Sequence, residues 1–298
     1  MKILLLGKNG QVGWELQRAL APLGELIALD FDSPGPLSAD FSRPESLAAT
    51  VRAVAPQIIV NAAAHTAVDK AESEPDLARA LNATSPAVLA REAAALGAWL
   101  LHYSTDYVFD GSGTTPRDEA SPTGPLSVYG ATKLEGELAI RASACRHLIL
   151  RTSWVYAARG GNFAKTMLKL ARERERLTVI ADQIGAPTGA DLLADLSAHM
   201  LRAVQQRPEL AGTYHAVAAG ETSWFGYARH VIEFARARGE DIRVAPEAID
   251  AVPTSAFVTA ARRPANSRLD TSKLRHTFGL QLPHWQTGVE RMLTEVLG

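Results

Sequence analysis

The sequence predicts a doubly wound α/β fold: a parallel sheet covered by helices on both faces, with a smaller C-terminal lobe. Two observations point to it. Short, wholly apolar runs alternate with longer amphipathic stretches from Lys2 to Ala203, and runs without in-out alternation are strands buried on both faces. A glycine-punctuated turn, Gly7-Lys8-Asn9-Gly10-Gln11-Val12-Gly13, joins the first apolar run to the first amphipathic one. Strand-helix alternation requires right-handed crossovers, and these leave a ligand crevice at the carboxyl ends of the strands.

The elements follow in order. Lys2–Leu6 reads as a strand that stops at Gly7, and Gln11 to Leu23 places Val12, Leu16, Ala19, Leu20 and Leu23 on one helical face. Leu26–Leu29 is a second strand closed by Asp30, Leu47 to Val54 a helix, and Gln57–Val60 a third strand. Asp76 to Leu96 is a long Ala- and Leu-rich helix, followed by a fourth strand at Ala98–Tyr103, a helix at Val128 to Ala142 and a fifth strand at His147–Leu150. Asn162 to Glu173, Leu177–Ala181 and Ala190 to Ala203 continue the alternation. Beyond residue 220 it weakens: residues 238–270 carry several prolines and no helical period, and Thr287 to Leu297 closes the chain as a helix.

Composition narrows the function. Among 298 residues, 31 Lys and Arg face 32 Asp and Glu, a net charge of -1 that gives no support to nucleic-acid binding through basic charge. A single cysteine, Cys145, leaves no disulfide framework or cysteine-based zinc cage. Arg91 and Glu92 interrupt the most apolar stretch, so no span reaches the ~18–20 residues of a membrane helix, and the protein reads as soluble and cytoplasmic. The eight histidines show no zinc-hydrolase spacing, and neither a serine-nucleophile elbow nor a P-loop is present.

Three motifs carry chemistry. In the first turn, Gly7, Gly10 and Gly13 allow a backbone to approach a pyrophosphate, which the following helix N-terminus attracts, so the turn is a candidate dinucleotide site. Asp30, at the end of the second strand, is placed to bind ribose hydroxyls and to disfavour a 2′-phosphate; an ordinary strand-end acid is the alternative. Tyr129-Gly-Ala-Thr-Lys133 sets a phenol and an ammonium on one helix face, where the charge is expected to lower the phenol's pKa and make it a usable acid; a solvated helix face is the alternative. Tyr103-Ser-Thr105-Asp106 ends a strand in the crevice, where Thr105 could polarise a carbonyl or simply satisfy loop backbone. Together they point to a nicotinamide-dependent oxidoreductase of the short-chain type. The expected division is residues 1–152 and 177–220 for the dinucleotide and 153–176 and 221–298 for the substrate.

The sequence also resembles, over essentially its whole length, the dTDP-4-dehydrorhamnose reductases, a branch of the extended short-chain dehydrogenases with a Rossmann-type sheet. The resemblance lies in GKNGQVGWELQ at the start, VNAAAHTAVDKAE at Val60–Glu72, HYSTDYVFDG at His102–Gly111, PLSVYGATKLEGE at Pro125–Glu137 and RTSWVY at Arg151–Tyr156. NFAKTML at Asn162–Leu168, DQIGAPTGADLLA at Asp182–Ala194 and ARRPANSRLDTSKL at Ala261–Leu274 extend it.

The resemblance implies reduction of dTDP-4-dehydro-6-deoxy-L-mannose to dTDP-L-rhamnose with NADPH or NADH, a step towards lipopolysaccharide and other envelope polysaccharides. Tyr129 would donate the proton, Lys133 would bind the nicotinamide ribose, and Thr105 would orient the carbonyl. Gly10, Gln11 and Val12 match the pyrophosphate turn, and Asp30, Asp40 and Phe41 the adenosine side. Ala64, His65, Thr66 and Tyr103 match the rest of the cofactor site, and Asp106 and Trp154 lie near the sugar. It further implies a homodimer with Mg2+ held between subunits by Glu15, Asp191 and Glu295, although Asp191 is shorter than the glutamate expected there. Arg262, Arg263 and Arg268 are candidates for the substrate diphosphate. Related dehydratases carry Thr-Asp-Glu where this chain has Thr105-Asp106-Tyr107, which disfavours dehydration. An epimerase of the same fold and a non-catalytic cofactor-binding subunit are the alternatives.

Overall fold

The computed structural model describes residues 1–298. Six parallel strands make the central sheet: β1 (Lys2–Leu6), β2 (Glu25–Leu29), β3 (Ile58–Asn61), β4 (Trp99–Thr105), β5 (Arg146–Thr152) and, later in the chain, β10 (Gly212–His215). Their spatial order is β10-β5-β4-β3-β1-β2. The chain therefore runs outward from β1 to β2, then returns to lay β3 on the other side of β1. That reversal opens a crevice beyond the carboxyl ends of β1 and β3.

Both faces of the sheet are buried, and the strand period of two assigns each side chain. Ile3, Leu5, Ile58, Val60, Trp99, Leu101, Leu148 and Leu150 pack on one face against Leu16 and Leu20 of α1 (Gln11–Leu20) and Leu193, Met200 and Leu201 of α8 (Ala190–Gln206). Leu4, Leu6, Ile59, Leu100 and Ile149 pack on the other. There they meet Leu47 and Val51 of α2 (Pro44–Val54), Leu89 and Ala93 of α5 (Ser85–Leu96), and Ile140 of α6 (Val128–Ala142).

Between β3 and α5 lie α3 (Val68–Ser73) and α4 (Pro75–Arg79), and a π-turn at Ala80–Thr84 joins α4 to α5. The long helix expected from Asp76 is thus present but interrupted.

The lobe has its own core of Leu168, Val179, Tyr227, Val231, Ile249 and Trp285, contributed by α7 (Phe163–Glu173), α9 (Trp224–Ala237) and α11 (Trp285–Leu297) with β7 (Leu177–Ile180) and β12 (Ile249–Val252). Two-residue strands pair around it: β6 (Val155–Tyr156) with β9 (Thr188–Gly189), and β8 (Ile184–Gly185) with β11 (Thr222–Ser223). A short α10 (Ser272–Phe278) completes the helices.

One sequence expectation is corrected here. Leu177–Ile180 was grouped with the dinucleotide-binding segments, but β7 hydrogen-bonds to β12 and packs in the lobe core. The sixth strand of the main sheet is instead Gly212–His215, which pairs with β5.

Candidate functional site

A cleft of about 680 Å3 opens at the β1/β3 reversal, and 29 residues from both parts of the chain line it. Its floor is the glycine turn. Gly7 has φ +87°, and a Cβ there would stand 2.7 Å from the Ala63 backbone nitrogen, while one at Gly13 would stand 1.9 Å from the Gly7 oxygen. The residues after β1 and β3 thus touch backbone to backbone. Gly10 caps α1 without a side-chain acceptor, leaving first-turn N–H groups for an anion. Gly7, Gly10, Gln11 and Val12 line the cleft, whereas Gly13 lies beneath it and acts through packing.

Asp30, Asp40, Phe41, Ala64, Thr66 and Tyr103 line the cleft as well. The Asp30 carboxylate accepts the Asn9 and Phe31 backbone N–H groups at 2.9 and 2.8 Å, so it braces the glycine turn while facing the cleft. Asp40 accepts from the Ser42 backbone and hydroxyl. His65 departs from expectation: it is not on the wall, and its ring turns towards Glu74, 3.6 Å away. Its backbone is what matters locally. Asn82, in the π-turn, accepts the His65 N–H at 2.9 Å and donates to the His65 carbonyl at 3.1 Å and the Thr132 hydroxyl at 3.2 Å. Gly136 lets α6 come this close, since a Cβ there would stand 2.2 Å from the Asn82 carbonyl oxygen.

The reacting groups gather where β4 ends. Ser127 caps α6 by accepting the Gly130 N–H, which sets Tyr129 in the first turn and Lys133 one turn on. Thr105 donates to Asp106 at 3.1 Å and accepts the Tyr107 N–H at 3.1 Å. Burial pushes the Tyr129 phenol up to about 12; the Thr105 hydroxyl draws it down and the Asp106 charge pushes it further up. Burial also pushes the Asp106 carboxyl up to about 7, with the nearby Ser267 and Thr105 hydroxyls opposing it. Lys133 is brought down to about 8 by burial, opposed by Glu137.

The expected lowering of the Tyr129 pKa by Lys133 is therefore not found in the ligand-free protein. The Lys133 Nζ points to β4 instead, donating to the Tyr103 carbonyl at 2.6 Å and lying 3.3 Å from His102 Nε2. A phenol held at about 12 keeps its proton at neutral pH, as a proton donor must.

On the far wall, Trp154 stacks on Trp224 with ring centroids 3.7 Å apart and planes 16° apart. Trp154 has φ +48°, an uncommon conformation for a bulky residue. Sequence reasoning missed Trp224, although Ser223, which caps α9, marks the helix it begins. It also missed Thr152 and quoted Ser104 only within the strand-end motif; both buried hydroxyls lack protein partners on the cleft wall, as does Asp106 Oδ2. Buried polar groups without partners fit a hydroxyl-bearing ligand.

Comparison with known proteins accounts for this arrangement. The family model described as the RmlD substrate binding domain matches residues 1–297. The dTDP-4-dehydrorhamnose reductase of Shigella flexneri is 60% identical over 296 residues, covering 99% of this chain and 98% of that protein. The chain belongs to the dTDP-4-dehydrorhamnose reductase family.

Solved structures of the family agree in fold. A dTDP-4-dehydrorhamnose reductase from Clostridium acetobutylicum is 34% identical with a TM-score of 0.89, covering 100% of both chains. One from Bacillus anthracis, in complex with NADP, is 36% identical with a TM-score of 0.87, covering 99% of each.

For a dTDP-4-dehydrorhamnose reductase, the cradle at Gly7 and Gly13 with the open α1 N-terminus fits a nicotinamide dinucleotide. Magnesium finds no support within the single chain. No group of three or more acidic, histidine or cysteine side chains is gathered. Glu15 pairs with Arg18, while Arg291 lies 3.6 Å from both Asp191 and Glu295. The diphosphate candidates are also engaged or remote: Arg263 chelates Asp69, Arg268 chelates Glu221, and Arg262 is exposed away from the cleft wall. No helix is long and apolar enough to cross a membrane.

Proposed function

We propose that the protein reduces dTDP-4-dehydro-6-deoxy-L-mannose to dTDP-L-rhamnose with a nicotinamide cofactor. The observation that carries this reading is the convergence of Tyr129, Thr105 and Asp106 on the same cleft as the glycine turn, in a chain 60% identical to a curated reductase of that substrate.

The cofactor, when bound, supplies the hydride that goes to C4. The protein's residues do the rest. The Tyr129 phenol, protonated at neutral pH, gives its proton to the C4 oxygen, so the ketone becomes a secondary alcohol and the phenol a phenolate. Thr105 holds the carbonyl with its hydroxyl. Lys133 holds the nicotinamide ribose, and its positive charge stabilises the phenolate left on Tyr129. Trp154 and Trp224 offer a flat wall to the deoxysugar's apolar face. Residues 1–152 and 177–220, apart from β7, serve the cofactor, and the segments 153–176 and 221–298 serve the sugar.

Either reduced cofactor is accepted in this reading. Asp30 favours NADH, whereas the Bacillus anthracis relative was solved with NADP. The test is to mix the protein with NADPH or NADH and the ketosugar nucleotide, and to follow loss of reduced-nicotinamide absorbance alongside dTDP-L-rhamnose. Stoichiometric conversion supports the proposal. Cofactor binding without consumption of either overturns it.

A further inference from the structure

A line of buried hydrogen bonds runs behind Lys133, and its donors and acceptors can be assigned in only one way. Asn61, which ends β3, accepts the Ala63 backbone N–H on Oδ1 at 3.1 Å, which fixes the orientation of its amide. Its Nδ2 therefore faces His102 Nδ1 at 2.9 Å. An amide nitrogen only donates, so His102 Nδ1 accepts. The neutral ring must then carry its proton on Nε2, the atom 3.3 Å from Lys133 Nζ. An ammonium has no lone pair and would meet Nε2–H donor to donor, whereas a neutral amine accepts that proton and still donates to the Tyr103 carbonyl.

We propose that His102 is a positioning residue that presents Nε2–H to Lys133 and disfavours its ammonium form in the ligand-free protein, with Asn61 fixing the tautomer. Both side chains are essentially inaccessible, at 1% exposure each. Burial and the neighbouring Lys133 drive the His102 pKa well below its ordinary value, so the ring stays neutral. Lys133, brought down to about 8, gives up its proton within the mildly basic range rather than far above it.

The other groups around Lys133 are accounted for. On its own helix, Tyr129 is protonated and Glu137 is bound to Arg151 of β5. From β4 and the turn after it come Tyr103, bonded to Ser197, and Asp106, bonded to Thr105. From α3, Glu72 accepts the Val128 N–H, and from α4, Arg79 pairs with Glu135. None of these supplies a second acceptor that would reverse the His102 assignment.

The test uses 15N-labelled full-length protein without ligand and long-range proton–nitrogen correlation of the imidazole rings. The His102 signal is identified by its loss in His102→Gln. The expected result is Nε2 protonated and Nδ1 bare, unchanged on moving from mildly acidic to mildly basic pH. A proton on Nδ1, or a cationic ring, overturns the proposal. Asn61→Asp is nearly isosteric and replaces the donor with an acceptor, so the proton should move to Nδ1 and the bare Nε2 should accept from a Lys133 ammonium. The basic limb of the kcat/KM profile should then rise by about one pH unit. A limb that moves without a tautomer change, or a tautomer change without movement of the limb, also overturns it. The rate profile rests on the proposed reductase activity, whereas the ring assignment needs no substrate, so failure of one is distinguishable from failure of the other.

Discussion

Glu137 and Arg151 meet in two hydrogen bonds of 2.9 and 2.7 Å, with side-chain exposures of 0% and 1%. The pair ties α6, two turns after Tyr129, to the end of β5, and Arg151 also lies over the Phe109 ring. Removing one partner of a buried pair strands the other charge. Glu137→Gln should therefore destabilise the protein by about 3 kcal/mol, measured by urea unfolding. A loss under ~1 kcal/mol would show that Arg151 finds compensation elsewhere.

Tyr129→Phe removes the proton donor and little else from the cleft. Turnover should fall at least about a hundredfold, while NADPH affinity, read by nucleotide fluorescence, stays within a few-fold. A near-unchanged rate would remove Tyr129 from the chemistry.

The buried carboxyl of Asp106 gives a pH dependence of definite sign. Its folded-state pKa, raised to about 7, exceeds the unfolded value, so the native state binds more protons between about pH 4 and 7. Asp106 therefore costs increasing stability as pH rises through that window, and the cost is complete above it. Asp106→Asn should leave the melting temperature nearly unchanged at pH 4 and raise it at pH 8, by the equivalent of roughly 2–4 kcal/mol. Equal shifts at the two pH values would count against a buried acid.

Asp30→Ala should raise the NADPH to NADH ratio of kcat/KM several-fold by removing a carboxylate from the ribose end of the cleft. It should also lower affinity for both cofactors, because the Asn9 and Phe31 N–H groups lose their acceptor. Weaker binding with an unchanged ratio would confine Asp30 to bracing the turn.

Much of this architecture is legible in the sequence because burial on both faces writes uninterrupted apolar runs. KILLL and HLIL announce β1 and β5 directly. Strand β10 is four residues of GTYH, too short and too polar at its ends to announce itself, and no local pattern tells Leu177–Ile180 which sheet it will join. The glycine turn, Thr105 and Tyr129 are legible as cleft residues because side-chain type and spacing mark them. His65 lies off the cleft wall with its backbone held by Asn82, and backbone contacts leave no residue signature. Only the fold reveals that Arg18 and Arg291 lie beside the carboxylates assigned to a metal.

The π-turn at Ala80–Thr84 has a bearing on how this chain tolerates change in length. A π-turn holds one residue more than the α-helical register around it. Deleting a neighbour of Asn82 there would yield a smoother, more regular rod. It would also shift Asn82 around the helix axis, away from both the His65 loop and Thr132. The irregularity is therefore a spacer: it trades helical regularity for the phase at which one amide can grip the cofactor-side loop and the tyrosine-bearing helix together.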